Sequence, residues 1–128
     1  MLELCRLRVA QLVGCPSELA IRYAPAVEAG LDEAKVTALG SSDRDVFSET
    51  ETACLTFAEL FVRDPHAIRD SDAAAVVGRL GPEATVAFVE ALALFDGFAR
   101  FRAVLGIEPE SDEVRVVPAP APGDAPLP

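Results

Sequence analysis

One of the three cysteines stands where a thiol can do chemistry. In Gly14-Cys15-Pro16 the glycine ends one helix and the proline suits the first turn of the next, so Cys15 falls at a helix mouth. The unpaired N–H groups and positive end of that helix would stabilise a thiolate. The other reading of Cys15 is a small buried hydrophobe. That reading also fits Cys5, on an apolar helical stripe, and Cys54, inside a later helix. His66 is the only histidine and follows Asp64-Pro65 in a loop; serine catalysis with a histidine base would have to use it. No second ligand lies at zinc-like spacing from any cysteine, so neither a metal nor a cofactor is expected. An odd cysteine count without a secretory pattern or leader points to free thiols in a reducing cytoplasm.

The elements that must position these residues all read as helices, an all-α class. Leu2, Cys5, Val9, Leu12 and Val13 recur at helical spacing, which predicts an amphipathic helix over Leu2 to Val13 closed by Gly14. A second helix opens near Pro16 and runs toward Gly30, with Pro25 as a kink or early break. A short helix covers Asp32 to Leu39, and residues 40 to 47 form a polar loop. Ser48-x-x-Glu51 is a capping box opening a helix through Val62, closed by Asp64-Pro65. Another short helix covers about Ser71 to Arg79, and Gly81-Pro82-Glu83 opens the last and longest, up to about Leu105. No segment alternates with period two under a β-branched bias, so no strand is expected.

Composition bounds the partners. The chain has 128 residues, 51% hydrophobic and 25% charged, and a formal charge of −10. That is one domain with a real core. Lys35 is the only lysine and the arginines are scattered rather than striped, which argues against nucleic acid. The acidic balance disfavours anionic lipid, and no apolar run approaches the length of a membrane span. Six of the ten prolines fall in 108–128, a Pro-rich acidic stretch that reads as a polyproline-like disordered tail, either a solubilising end or a docking peptide for aromatic grooves. From Ala84 to Phe95 only Thr85 and Glu90 are polar, so the last helix should be buried from two directions. A second subunit is the natural cover, with Phe88, Leu92, Phe95, Phe98 and Phe101 supplying core and interface.

Taken together, the segments carry a resemblance. Glu3-Leu4-Cys5-Arg6-Leu7-Arg8-Val9-Ala10-Gln11-Leu12-Val13-Gly14-Cys15-Pro16, Glu28-Ala29-Gly30-Leu31, Phe47-Ser48-Glu49-x-Glu51 and Leu94-Phe95-Asp96-Gly97-Phe98-Ala99-Arg100-Phe101 resemble the carboxymuconolactone decarboxylase and alkylhydroperoxidase D-like (AhpD-like) superfamily. The resemblance covers residues 3 to 107. It implies an AhpD-like helical domain over 1–107 that assembles into a homo-oligomer (dimer, trimer or hexamer) around shared helices. It also implies an inherited antioxidant role in which hydroperoxide is reduced by a Cys-x-x-Cys pair at the start of the second helix, served by a glutamate and a histidine as proton relay.

Carried over position by position, Glu3 stands where that glutamate stands and Cys15 where the first cysteine stands. Glu18 replaces the second, peroxide-attacking cysteine and Arg22 the histidine, so the internal dithiol cycle cannot run through this motif. Glu18 and Arg22 are four apart, which on one helix puts them on a shared face as an ion pair. Pro16-Ser17-Glu18-Leu19 resembles a segment of the decarboxylase branch, which lacks the cysteine pair. Three functions follow. The first is a peroxidase-lineage protein with Cys15 as a single reactive thiol and an external thiol reductant. The second is a non-redox lyase or isomerase acting on a small carboxylated molecule, with Glu3 and Glu18 handling protons and Arg22 binding the substrate carboxylate. The third is a non-catalytic oligomeric relative that binds a ligand or partner in the old pocket.

Overall fold

The computed structural model describes residues 1–119. It is 66% helix, in seven α-helices with one short 3₁₀ turn and a two-stranded sheet. The order is α1 (Leu2–Val13), α2 (Pro16–Leu19), β1 (Ile21–Tyr23), α3 (Ala24–Glu28), α4 (Glu33–Ala38), α5 (Glu49–Arg63), the 3₁₀ turn Pro65–Ala67, α6 (Asp70–Leu80), α7 (Pro82–Val104) and β2 (Arg115–Val117). Local signals set several boundaries. Gly14, at φ 74°, closes α1 in the left-handed conformation, donating its N–H to the Ala10 and Gln11 carbonyls. Ser48 Oγ accepts from Glu51 N at 3.1 Å while Glu51 Oε2 accepts from Ser48 N at 2.8 Å, the reciprocal capping box expected from the sequence.

Helix α1 is the central element, packed between α5 and α7. Leu4, Leu7 and Val9 meet Leu55 and Ala58 of α5, Val76 of α6, and Phe88 and Leu92 of α7 in one core. The Phe57 and Phe88 rings stand 6.1 Å apart at 54°, a tilted aromatic pair. Because α1 has neighbours on two sides, seven of its residues, Glu3, Leu4, Cys5, Arg6, Leu7, Val9 and Ala10, are buried. The single stripe expected from Leu2, Cys5 and Val9 is therefore too narrow, and Leu2, at its edge, is exposed.

Three expectations need correction. The helix expected from Pro16 to Gly30 is split into α2, β1 and α3. Helical continuation would need an N–H at position 25 to reach the Ile21 carbonyl, and proline has none. Strands, which were not expected, are present: β1 pairs with β2 in parallel, Ile21 opposite Arg115 and Tyr23 opposite Val117. Each is three residues long, too short to register as alternation, and parallel pairing requires the partner to come from far along the chain. Finally, the segment after Ile107 does not leave the body at once. Val114-Arg115-Val116-Val117 is a β-branched run that returns to β1, with Arg115 N donating to the Ala20 carbonyl at 2.8 Å. The remainder of the tail read over 108–128, from residue 120 on, lies outside the described residues.

Candidate functional site

Arg6 is the centre of the site. Its side chain is 3% exposed in the middle of α1, where an unpaired charge would cost several kcal/mol. Every N–H of the guanidinium is used. Nε and Nη2 grip the two carboxylate oxygens of Glu3 at 2.8 and 2.7 Å, a bidentate fork of the strongest kind. Nη1 donates to Glu18 Oε2 at 2.7 Å and to the Glu18 carbonyl at 2.9 Å, and Nη2 also reaches the Ile21 carbonyl at 2.9 Å. The Glu18 carbonyl is one that the short α2 leaves unpaired and the Ile21 carbonyl belongs to β1, so Arg6 caps the end of α2 and ties it to the strand. Burial alone would pull the guanidinium down, but the Glu3 hydrogen bonds and the Glu3 and Glu18 charges hold it above its ordinary range.

The network extends outward on both sides. Glu18 Oε1 lies 2.9 Å from Arg102 Nε, an ion pair that joins α2 to the last turn of α7. Glu3 Oε1 also accepts the Tyr23 N–H at 3.2 Å, and the Tyr23 ring lies 5.1 Å from Arg6 Cζ, within cation–π range. Both oxygens of Glu3 and Oε2 of Glu18 therefore accept hydrogen bonds, and Glu18 Oε1 is paired with the Arg102 charge. Arg102 is only 38% exposed and uses Nε for Glu18; among the described residues its two Nη groups have no hydrogen-bond partner.

Arg22 does not join Glu18. The expectation of a shared helical face fails because α2 ends at Leu19 and Arg22 belongs to β1. Its side chain instead donates to Glu33 at 2.9 and 3.2 Å and to the carbonyls of Leu19 and Ile21. The position that the resemblance assigns to the relay histidine thus faces a different acid from the position assigned to the second cysteine.

Cys15 is the N-cap of α2 and fully buried, with its Sγ 3.4 Å from Ser17 Oγ. A four-residue helix sums few peptide dipoles at that sulfur, so the helix-mouth activation expected from the sequence has little to act through. The other thiols are free as well. Burial, then the neighbouring Cys54, pushes the Cys5 thiol far up, and burial raises Cys54; Cys5 Sγ has Met1 Sδ at 4.0 Å. His66 is exposed, its N–H bound to Asp64 Oδ1. Among the described residues there is no group of three or more candidate metal ligands and no helix long and apolar enough to cross a membrane.

Two cavities flank the network. One of about 330 Å³ is lined by Arg6, Glu18, Tyr23, Leu94, Phe95, Phe98 and Arg102. A neighbour of about 400 Å³ shares Arg6, Tyr23 and Phe95 and is completed by Leu2, Glu3, Pro25, Ala26 and Ala119. Their sizes are those of small-molecule sites, with apolar walls and a few convergent polar groups. Sequence reasoning had singled out Glu3 and Glu18 but missed Arg6, Tyr23 and Arg102. The available signal was Glu3-x-x-Arg6, an acid and a base at helical spacing amid otherwise apolar residues. No family model, curated protein or solved structure matches this chain.

Proposed function

We propose that this chain is an AhpD-like protein of the thiol-peroxidase lineage in which the dithiol hydroperoxide site has become a binding pocket for a small carboxylated molecule with an apolar body. The observation that carries this reading is the chain Glu3–Arg6–Glu18–Arg102, which occupies both acids and leaves the Arg102 Nη groups as the cationic donors at the cavity. A peroxidase of this kind needs an accessible thiolate, and Cys15 is sealed from solvent with no second cysteine at position 18. A lyase of the decarboxylase type needs an acid or base free to exchange a proton with substrate. Here a proton on either glutamate would break a buried ion pair. Binding requires neither. A ligand carboxylate would accept from the Arg102 Nη groups while its apolar part lies against Phe95 and Phe98.

The chain provides its own reporter, because Tyr23 is the single tyrosine and there is no tryptophan. Titration of Tyr23 fluorescence with phenylacetate should saturate with a Kd on the order of 0.1–1 mM. Arg102→Met should abolish the response and Arg102→Lys should restore part of it. Hydroperoxide consumption with dithiothreitol should be the same for the native chain, Cys15→Ser and buffer. Native turnover that disappears in Cys15→Ser would overturn this reading in favour of a single-thiol peroxidase.

A further inference from the structure

The larger of the two cavities, of about 400 Å³, is walled by Leu2, Tyr23, Pro25, Ala26 and Phe95 beside Glu3 and Arg6. Its two charged members are already engaged. Every N–H of the Arg6 guanidinium and both oxygens of Glu3 are taken up by the clamp and the Tyr23 N–H, so the cavity presents aromatic rings, aliphatic walls and no free charge. An occupant must be apolar and bring few hydrogen-bond donors, because each would be buried without a partner. Among the described residues the Tyr23 hydroxyl has no hydrogen-bond partner, which leaves it able to donate to a carbonyl of the occupant.

We propose that this cavity is the docking site of the chain's own C-terminal segment, residues 120–128, with Pro122 as the anchor against Tyr23 and Phe95. Ala119, where the described residues end, is already a wall of the cavity. Strand β2 delivers it there. Val117 stands opposite Tyr23 in the parallel ladder, and the chain runs on to Ala119, which shares the cavity with Pro25 and Ala26. The residues that follow are Pro120-Ala121-Pro122-Gly123-Asp124. An Ala-Pro repeat favours the polyproline II helix, so with three residues per turn and about 3.1 Å per residue the next position on the face of Ala119 is Pro122, roughly 9 Å further on. Pro120 and Ala121 fall on the other two faces, and Gly123 frees the backbone to turn away after the anchor.

Three properties of the segment suit this cavity. Proline has no N–H to leave unsatisfied, and its ring packs on aromatic faces in the way Pro-rich ligands fill aromatic-lined grooves. The charges of the stretch are sorted along it, since Glu108, Glu110, Asp112, Glu113 and Arg115 all precede Val116 and beyond Val117 only Asp124 is charged. The part that reaches the cavity is therefore apolar. Finally, the anchor is tethered three residues from a wall of the site, which gives it an effective concentration on the order of millimolar, and its extended geometry is largely pre-formed, so that docking orders little that was free. These terms favour the chain's own tail over a free peptide of similar sequence. The docked tail does not depend on the ligand proposed for Arg102, which takes the other cavity and shares only Arg6, Tyr23 and Phe95 with this one.

Because Tyr23 is the only tyrosine, its ring protons are an unambiguous probe in the full chain. Nuclear Overhauser effects should connect the Tyr23 ring to Pro122 and not to Pro120. Pro122→Glu should raise the acrylamide quenching constant of Tyr23 fluorescence about twofold, as expected when a solvent-excluding cover is lost. Pro120→Glu, which adds the same charge two residues earlier, should leave the constant at its native value. Neither position belongs to the core, and both variants should keep the native far-ultraviolet circular dichroism. No Overhauser effect between Tyr23 and the tail, or equal quenching in all three chains, overturns the docking. Effects to Pro126 or Leu127 in place of Pro122 overturn the anchor. In a mixture of isotope-labelled and unlabelled chains, effects seen only between copies would give the cavity to a second copy's tail and overturn the intramolecular contact. Failure of phenylacetate to bind while the Tyr23–Pro122 contact is present refutes the ligand at Arg102 and not the docked tail.

Discussion

Replacing Arg6 by methionine tests the centre of the site. Methionine preserves the length and much of the volume of the stem but deletes every donor. Glu3 loses both guanidinium bonds and keeps only the Tyr23 N–H, Glu18 keeps only Arg102, and the Glu18 and Ile21 carbonyls lose a buried partner. Breaking a buried ion pair from one side costs about 3–5 kcal/mol because the other charge is left uncompensated. A urea slope of roughly 1.5 kcal/mol/M converts that into a midpoint lower by about 2–3 M. Arg6→Met/Glu3→Gln should recover part of the loss, since it removes one of the stranded charges, and the double-mutant cycle isolates the Arg6–Glu3 coupling. The chains must be compared at one protein concentration if unfolding is coupled to dissociation. Should Arg6→Met fail to fold, Arg6→Lys, which keeps the charge but loses the fork, should fall between it and the native chain. A loss below about 1 kcal/mol, the size of a surface pair, would refute the reasoning that this network is a buried structural clamp.

Three further outcomes follow from the geometry. Glu18→Cys/Arg22→His, which rewrites the peroxidase motif, should give no hydroperoxide turnover in a coupled assay, because position 22 lies on β1 facing Glu33 and not on a helix beside position 18; turnover would show that the local backbone rearranges. Burial works to raise the Glu59 carboxyl, but the Arg44 and Arg8 hydrogen bonds at 2.6 and 2.7 Å outweigh it and hold it below the usual carboxylate range. A folded value below the unfolded one means that stability is present above the unfolded carboxylate range near pH 4.3 and is lost as pH falls through the folded value. Glu59→Gln should therefore flatten that acid limb in urea titrations at pH 3 to 6, and an unchanged limb would exclude Glu59 as its source. Because burial raises Cys5 and Cys54, their thiols should resist a disulfide reagent at about pH 8 in the native chain and react at once in urea; rapid native labelling of either would contradict their burial.

What was readable in the sequence was what neighbouring residues decide among themselves. Gly14 could close α1 because only its own φ had to turn positive, the Ser48 and Glu51 box opened α5 within one turn, and Pro82 began a long α7 whose apolar residues run all the way round. The acids at positions 3 and 18 were also visible, though their partners were not. Arg6 stands one helical turn from Glu3, but what the network becomes depends on distant parts of the chain. Glu18 meets Arg102 only after α7 has folded back along α1, and Arg6 becomes a clamp rather than a surface charge only because α5 and α7 enclose α1 from both sides. The exchange of a helix for β1 at Arg22 was equally out of reach, since Pro25 disfavours the helix locally but the strand exists only where Val116 returns to pair with it. Helix caps and periodicity act over a few residues and are written in order along the chain. Burial, charge pairing and strand register are fixed by which surfaces exclude water together, and here that brings positions 3, 6, 18 and 102 into one network.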